Sequence, residues 1–153
     1  MPAAYIAPTI LFPPAIMHAE YTISYETPTI ETYLRLRSLS GIGAKSLDAA
    51  SRGLPNSLFA VQVWHGAEPV GMGRVIGDGG CFFQVVDIAL LPEHQGKGLG
   101  KRIMAEIIEF LKQQVPATGY VSLIADGAAQ HLYAQFGFVP TAPRSVGMAW
   151  RRG

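Results

Sequence analysis

Cys81 is the only cysteine among 153 residues. An intrachain disulfide is therefore excluded, as is a site built from several thiolates, and Cys81 reads as a buried strand residue. Charge is scarce too. Charged residues make up 15% of the chain, against roughly 25% in ordinary soluble domains. Such a surface must rely on uncharged polar groups or cover area with a partner, so a homodimer is the expectation. Twelve basic and 11 acidic side chains leave a formal charge of +1, with no long block of either sign. A nucleic-acid partner lacks its electrostatic basis.

Long uninterrupted apolar runs are missing as well. The opening stretch Met1 to Met17 is apolar, but Pro2, Pro8, Pro13 and Pro14 break it and no Lys or Arg precedes it. It fits neither a signal peptide nor a membrane span, and a cytoplasmic enzyme with no membrane partner is the simplest expectation. We read residues 1–20 as an extended N-terminal extension laid over an apolar surface, and 21–153 as one domain. With 49% hydrophobic residues the chain can bury one sizeable core.

What is present is a change of period along the chain. Tyr21 to Glu26 alternates as a strand, and a helix follows with Thr27 as cap, Pro28 at its first position, and Ile30, Tyr33, Leu34 and Arg37 at helical spacing. A short helix runs from Ser46 to Arg52. Leu58 to Trp64, Pro69 to Ile76 and Phe82 to Leu90 read as a meander of antiparallel strands. From Lys97 to Gln114, Leu99, Ile103, Ile107, Phe110 and Leu111 make an apolar stripe, while Lys101, Glu106, Glu109 and Lys112 are expected to face water. Tyr120 to Ile124 is a strand, Asp126 is placed to cap a helix from Ala128 to Gln135, and Phe138-Val139 and Gly147 to Trp150 are expected as the last strands. The fold class is α+β, with mixed α/β layers.

The chemistry-bearing signal is Gln95-Gly96-Lys97-Gly98-Leu99-Gly100, between a strand and a helix. Closely spaced glycines let the backbone curl so that several amides point into one concavity. The following helix adds its unpaired amides and the positive end of its dipole, which suits a pyrophosphate. A P-loop is excluded because Gly100-Lys101 is followed by Arg102, leaving no hydroxyl for magnesium. A dinucleotide fingerprint is excluded by the glycine spacing and by the strands that precede it.

The stretch Leu90 to Gly100 resembles the acyl-CoA-binding signature of the GCN5-related N-acetyltransferase (GNAT) superfamily: Arg or Gln, two residues, Gly, one residue, then Gly or Ala. Gln95, Gly98 and Gly100 match it. Further on, Leu132-Tyr133-Ala134-Gln135-Phe136-Gly137-Phe138 resembles the family's Leu-Tyr-x-x-x-Gly-Phe block. The resemblance covers Tyr21 to Trp150 and implies a central, mostly antiparallel sheet with splayed strands, flanked by helices. It implies acetyl-CoA as cofactor, with Ile88, Ala89, Leu90 and Leu91 offering backbone groups to pantetheine. Gln95, Gly96, Lys97, Gly98, Leu99, Gly100 and Lys101 would hold the pyrophosphate.

The implied reaction is direct acetyl transfer from thioester to amine, with neither metal nor acyl-enzyme. Tyr133 matches the family's general acid: a phenol of pKa near 10 is protonated at neutral pH and can donate to sulfur. Asp126 stands where many relatives carry Asn, as a cofactor contact or a helix cap. Asp87, a charge inside an apolar strand, is the candidate for the amine proton or the substrate ammonium. Gln84 stands near the catalytic Glu of some relatives, yet an amide is no base.

His94 and His131 read as peripheral, and His18 and His65 form no compact metal motif. Tyr33, Gln84 and Trp150 are the candidate substrate contacts, and a small amine with an apolar portion is the expected acceptor. Peptide or protein acetylation, and a noncatalytic acyl-CoA sensor, are the alternatives.

Overall fold

The computed structural model describes residues 20–153, so the proposed extension lies almost wholly outside the described residues. The elements are β1 (Tyr21–Ser24), α1 (Ile30–Ser40), α2 (Leu47–Gly53), β2 (Phe59–His65), β3 (Glu68–Gly77), β4 (Phe82–Leu90), α3 (Leu99–Gln114), β5 (Tyr120–Leu123) and α4 (Ala129–Ala134). They build one five-stranded sheet in the order β1-β2-β3-β4-β5. The first three pairings are antiparallel. The last is parallel, because α3 carries the chain back across the sheet before β5 begins.

Neighbouring residues of a strand face opposite sides of a sheet, and β3 uses this to separate core from site. A Cβ on Gly73 would lie 2.7 Å from Ile103, 2.8 Å from Ile88 and 2.9 Å from Ile107. Only glycine lets α3 come this close. The next residue, Arg74, points the other way, towards Tyr33 of α1 and Asp87 of β4. Beneath α3 the core gathers Val61, Val63, Val75, Ile103, Met104 and Ile107, all fully buried. Phe59 and Phe110 stack at 4.6 Å.

Several expectations are corrected. Helix α1 is capped by Thr29, whose Oγ1 accepts from the Thr32 amide at 3.2 Å, not by Thr27; Thr29 has the extended backbone a cap requires. Glu106 is buried rather than wet, because Tyr25 Oη donates to it at 2.8 Å and Arg102 pairs with it at 2.7 Å. Cys81 is exposed, in the turn ahead of β4. There Asp78 accepts from the amides of Gly80, Cys81 and Phe82 at 2.9, 2.8 and 3.0 Å, closing the connection from β3. Asp126 does not cap α4: Ala128 precedes the helix and no side chain bonds to its first amides. Phe138-Val139 and Gly147 to Trp150 form no strand, and Val139, Met148 and Trp150 are exposed. These segments carry strand-forming side chains but have no ladder to complete.

Candidate functional site

The site begins where the sheet comes apart. Met72 faces Ala89 and Arg74 faces Val86, so Asp87 and Ile88 together oppose Gly73. This is a β-bulge, and Asp87 takes the left-handed φ of 58° that one of its residues must absorb. Aspartate tolerates that region better than a β-branched residue would. The β4–β5 ladder pairs Phe82–Val85 with Tyr120–Leu123 and stops. Beyond Val85, β4 runs on without β5 beside it. Ile88, Ala89 and Leu90 therefore border an opening, as the resemblance implies for a pantetheine arm. Leu91 differs, since its amide already donates to Val70 at 2.9 Å.

At the end of β4 the chain turns through Pro92–His94 into the glycine loop. Gln95 Nε2 donates to the Leu90 carbonyl at 3.0 Å and ties the loop to the strand. Gly96 and Gly98 take φ of 74° and 78°, a conformation side chains rarely adopt, and both face open space. Gly98 leads into α3 with no side-chain cap and no acidic residue in the first turn. The first amides of a sixteen-residue helix are thus left for a ligand. Lys97 and Lys101 are exposed beside them.

This arrangement fits the pyrophosphate of acetyl-CoA: uncapped amides, helix dipole and lysines all favour an anion there. Gly100 lies within 3.4 Å of Leu132 by its absent Cβ, which brings α4 against the start of α3. Behind the loop, Tyr21 Oη lies 2.6 Å from His94 Nδ1 and accepts from Lys97 Nζ at 3.3 Å. His94 is thereby drawn into the loop's support.

On the other side of β4 lies a cavity of about 350 Å³, lined by residues that include Tyr33, Arg37, Lys45, Arg74, Gln84, Asp87, Asp126 and Tyr133. Asp87 holds three bonds there. Arg37 Nη1 binds its Oδ1, while Arg74 Nε and Tyr33 Oη donate to Oδ2 at 2.8 and 3.1 Å. Both arginines also lie over the Tyr33 ring. Arg37 is fixed further by the carbonyls of Ile42 and Gly43, and Arg74 by Ser57 Oγ. Burial, and then the Asp87 charge, raise the Tyr33 pKa above 10.0. Its hydroxyl remains a donor.

Tyr133 sits on α4 and is half-buried. Burial first, and the Asp126 carboxylate second, raise its pKa above 10.0. The phenol makes no hydrogen bond among the described residues. Asp126 is exposed and its side chain is likewise unbonded there. The structure thus brings Tyr133, Asp126, Asp87, Gln84 and Tyr33 to one cavity, while Trp150 lies outside its lining and is 87% exposed. Sequence reasoning missed Arg74 and Lys45 altogether and saw Arg37 only as part of a stripe. The available signal was an arginine inside the apolar run Val70 to Ile76. Among the described residues no cluster of three His, Cys, Asp or Glu side chains could hold a metal ion, and no helix is long and apolar enough to cross a membrane.

An open mixed sheet, splayed after a bulge and followed by an uncapped glycine loop, defines an acetyltransferase fold. The chain belongs to the acetyltransferase (GNAT) family, whose sequence pattern matches residues 19–138. Among solved structures, a probable acetyltransferase from meticillin-resistant Staphylococcus aureus is 46% identical, with 86% of this chain and 99% of that one covered at a TM-score of 0.82. A GNAT-family acetyltransferase from Streptococcus pneumoniae is 25% identical over 86% of this chain and 98% of its own, with a TM-score of 0.71. The histone acetyltransferase TAP1 of Glycine max is 30% identical over 100 residues, 61% of this chain and 42% of that protein. The chain spans less than half the length of the first curated relatives it matches.

Proposed function

We propose that the protein transfers the acetyl group of acetyl-CoA directly to the amine of a small molecule, with Tyr133 as general acid. The observation that carries this reading is the Tyr133 phenol, unpaired, kept protonated by burial, and placed on the cavity that opens beside the bulge. Bound acetyl-CoA supplies an activated acyl group and a thiolate leaving group. The uncapped amides of α3, with Lys97 and Lys101, hold its phosphates, and the β4 edge at Ile88 to Leu90 takes the arm.

In the overall exchange a C–N bond forms, the C–S bond breaks, the amine gives up a proton and the departing sulfur gains one. Tyr133 donates to sulfur. Both carboxylate oxygens of Asp87 are already engaged by three donors, so we assign it a positioning role: it clamps Arg37, Arg74 and Tyr33 and leaves no oxygen turned to the amine. Asp126, with a carboxylate free of such contacts, binds the acceptor as its ammonium; one proton leaves to water before the neutral nitrogen attacks, and the second leaves as the C–N bond forms. Gln84 borders the same space, and Trp150 does not.

The test is turnover of acetyl-CoA with a library of amines and peptides, read by mass. Tyr133→Phe should lower kcat about a hundredfold with little change in acetyl-CoA affinity. Unchanged turnover would remove the acid role, and cofactor binding without any product would favour a sensor. Peptide acetylation is the reading suggested by the histone acetyltransferase relative, and the same library tests it. A homodimer belongs to the proposal too, supported by the exposed Val139, Val146, Met148 and Trp150.

A further inference from the structure

The charges around the acceptor cavity do not match a simple amine. Arg37, Lys45, Arg74, Asp87 and Asp126 all line it. Asp87 is shared by two guanidinium groups, so that cluster keeps one positive charge in excess. Lys45 is exposed and has no ion pair or hydrogen bond among the described residues. It lines this cavity and also a second one of about 240 Å³ enclosed by Ala49, Ala50, Gly53 and Leu54, and Tyr33 and Arg74 border both. Arg74 spends Nε on Asp87 and Nη1 on Ser57, which leaves Nη2 without a partner among the described residues. An alkylammonium alone would enter a wall of surplus positive charge, offset only by Asp126.

We infer that the acceptor is an amine that also carries an anionic group, a carboxylate or a phosphate, with its ammonium at the Asp126–Tyr133 end of the cavity and its anion between Lys45 and Arg74. This deepens the acetyl-transfer reading and rests on it. It also redirects the expectation of an apolar acceptor: the wall nearest α2 is cationic, and the apolar side chains there serve the core. Lysine, a compact charge on a flexible stem, accepts either anion, while the fixed Arg74 sets its direction. Lys45 borders both cavities and Asp126 only the larger one, so the anion belongs towards α2 and the ammonium away from it, a pairing that a zwitterion satisfies and a neutral-tailed amine does not.

The experiment uses the full chain with acetyl-CoA and three series of linear amines of matched length, ending in carboxylate, phosphate or neutral amide. The expected result is a kcat/KM at least about tenfold higher for one charged series than for the amide, carried mainly by KM. Whichever charged series leads identifies the anion. Lys45→Gln should raise KM for that series about fivefold more than it does for the amide series. Because Lys45 is exposed, the variant should fold. Independently of any variant, added salt should raise KM for the charged series alone. Equal use of the amide, or Lys45→Gln and salt without effect, overturns the inference and leaves acetyl transfer standing. Failure of every amine overturns the transfer reading beneath it.

Discussion

Asp87 carries a buried charge that two cations share, and removing that charge strands both. Its side chain is 5% exposed, and those of Arg37 and Arg74 are 11% and 8% exposed. Asp87→Asn should destabilise the protein by about 3 kcal/mol, measured by urea denaturation. If Asp87 positions rather than accepts protons, the pH dependence of kcat in the surviving enzyme should keep its shape. Tyr133 has the opposite environment. Its pKa is raised, so its contribution to stability is full below the unfolded value of about 10 and is lost only as pH rises through the higher folded value. Asp126→Asn removes the second cause of that rise and should bring the Tyr133 phenol titration down, seen as the ultraviolet tyrosinate signal that Tyr133→Phe abolishes. The place of Tyr133 on the cavity wall was legible in the sequence because its motif spacing survives in the fold. Arg74 was not, because its purpose depends on Asp87, thirteen residues away across a bulge.

Among the elements, β4 was read at its true bounds, Phe82–Leu90, since a run rich in Val, Ile and Phe between Gly79-Gly80 and Pro92 leaves little else. The bulge inside it left no trace in the pattern. The irregularity is one extra residue of β4, Asp87 with Ile88, set against Gly73 of β3, and it shows only when the two strands are paired. Gly73→Ala should cost about 1–3 kcal/mol by pressing on Ile103 and Ile107, checked by thermal melting. Glu106 was misread for a related reason: a charge at the edge of an amphipathic stripe looks wet until Tyr25, from a different element, reaches it. The β3–β4 turn makes a prediction with a sign. The Phe82 amide, followed by that of Gly80, holds the Asp78 pKa below its usual 3.8. A depressed carboxyl stabilises above its unfolded pKa and stops doing so as pH falls through the folded one. Asp78→Ala should lower Tm at neutral pH, with the difference from the parent protein vanishing in strong acid.

Across the whole molecule, the fold class, the sheet's mostly antiparallel character and the strand–loop–helix–strand unit were all legible, because each rests on a local change of period. The closing strands were expected from propensity alone and did not form. Their apolar side chains, at Val146, Met148 and Trp150, instead stay on the surface. If a second copy covers them, light scattering should give the mass of a dimer, and Met148→Asp with Trp150→Asp should return a monomer.

The Tyr21 hub has a consequence for motion. Tyr21 belongs to an edge strand of four residues, yet its hydroxyl supports His94 and Lys97 at the glycine loop. Fluctuations of β1 and of the loop are thereby joined. In hydrogen exchange, the amides of β1 and of residues 95–98 should open together as one unit, and acetyl-CoA should slow both. Tyr21→Phe should uncouple them, leaving the ligand to protect the loop alone.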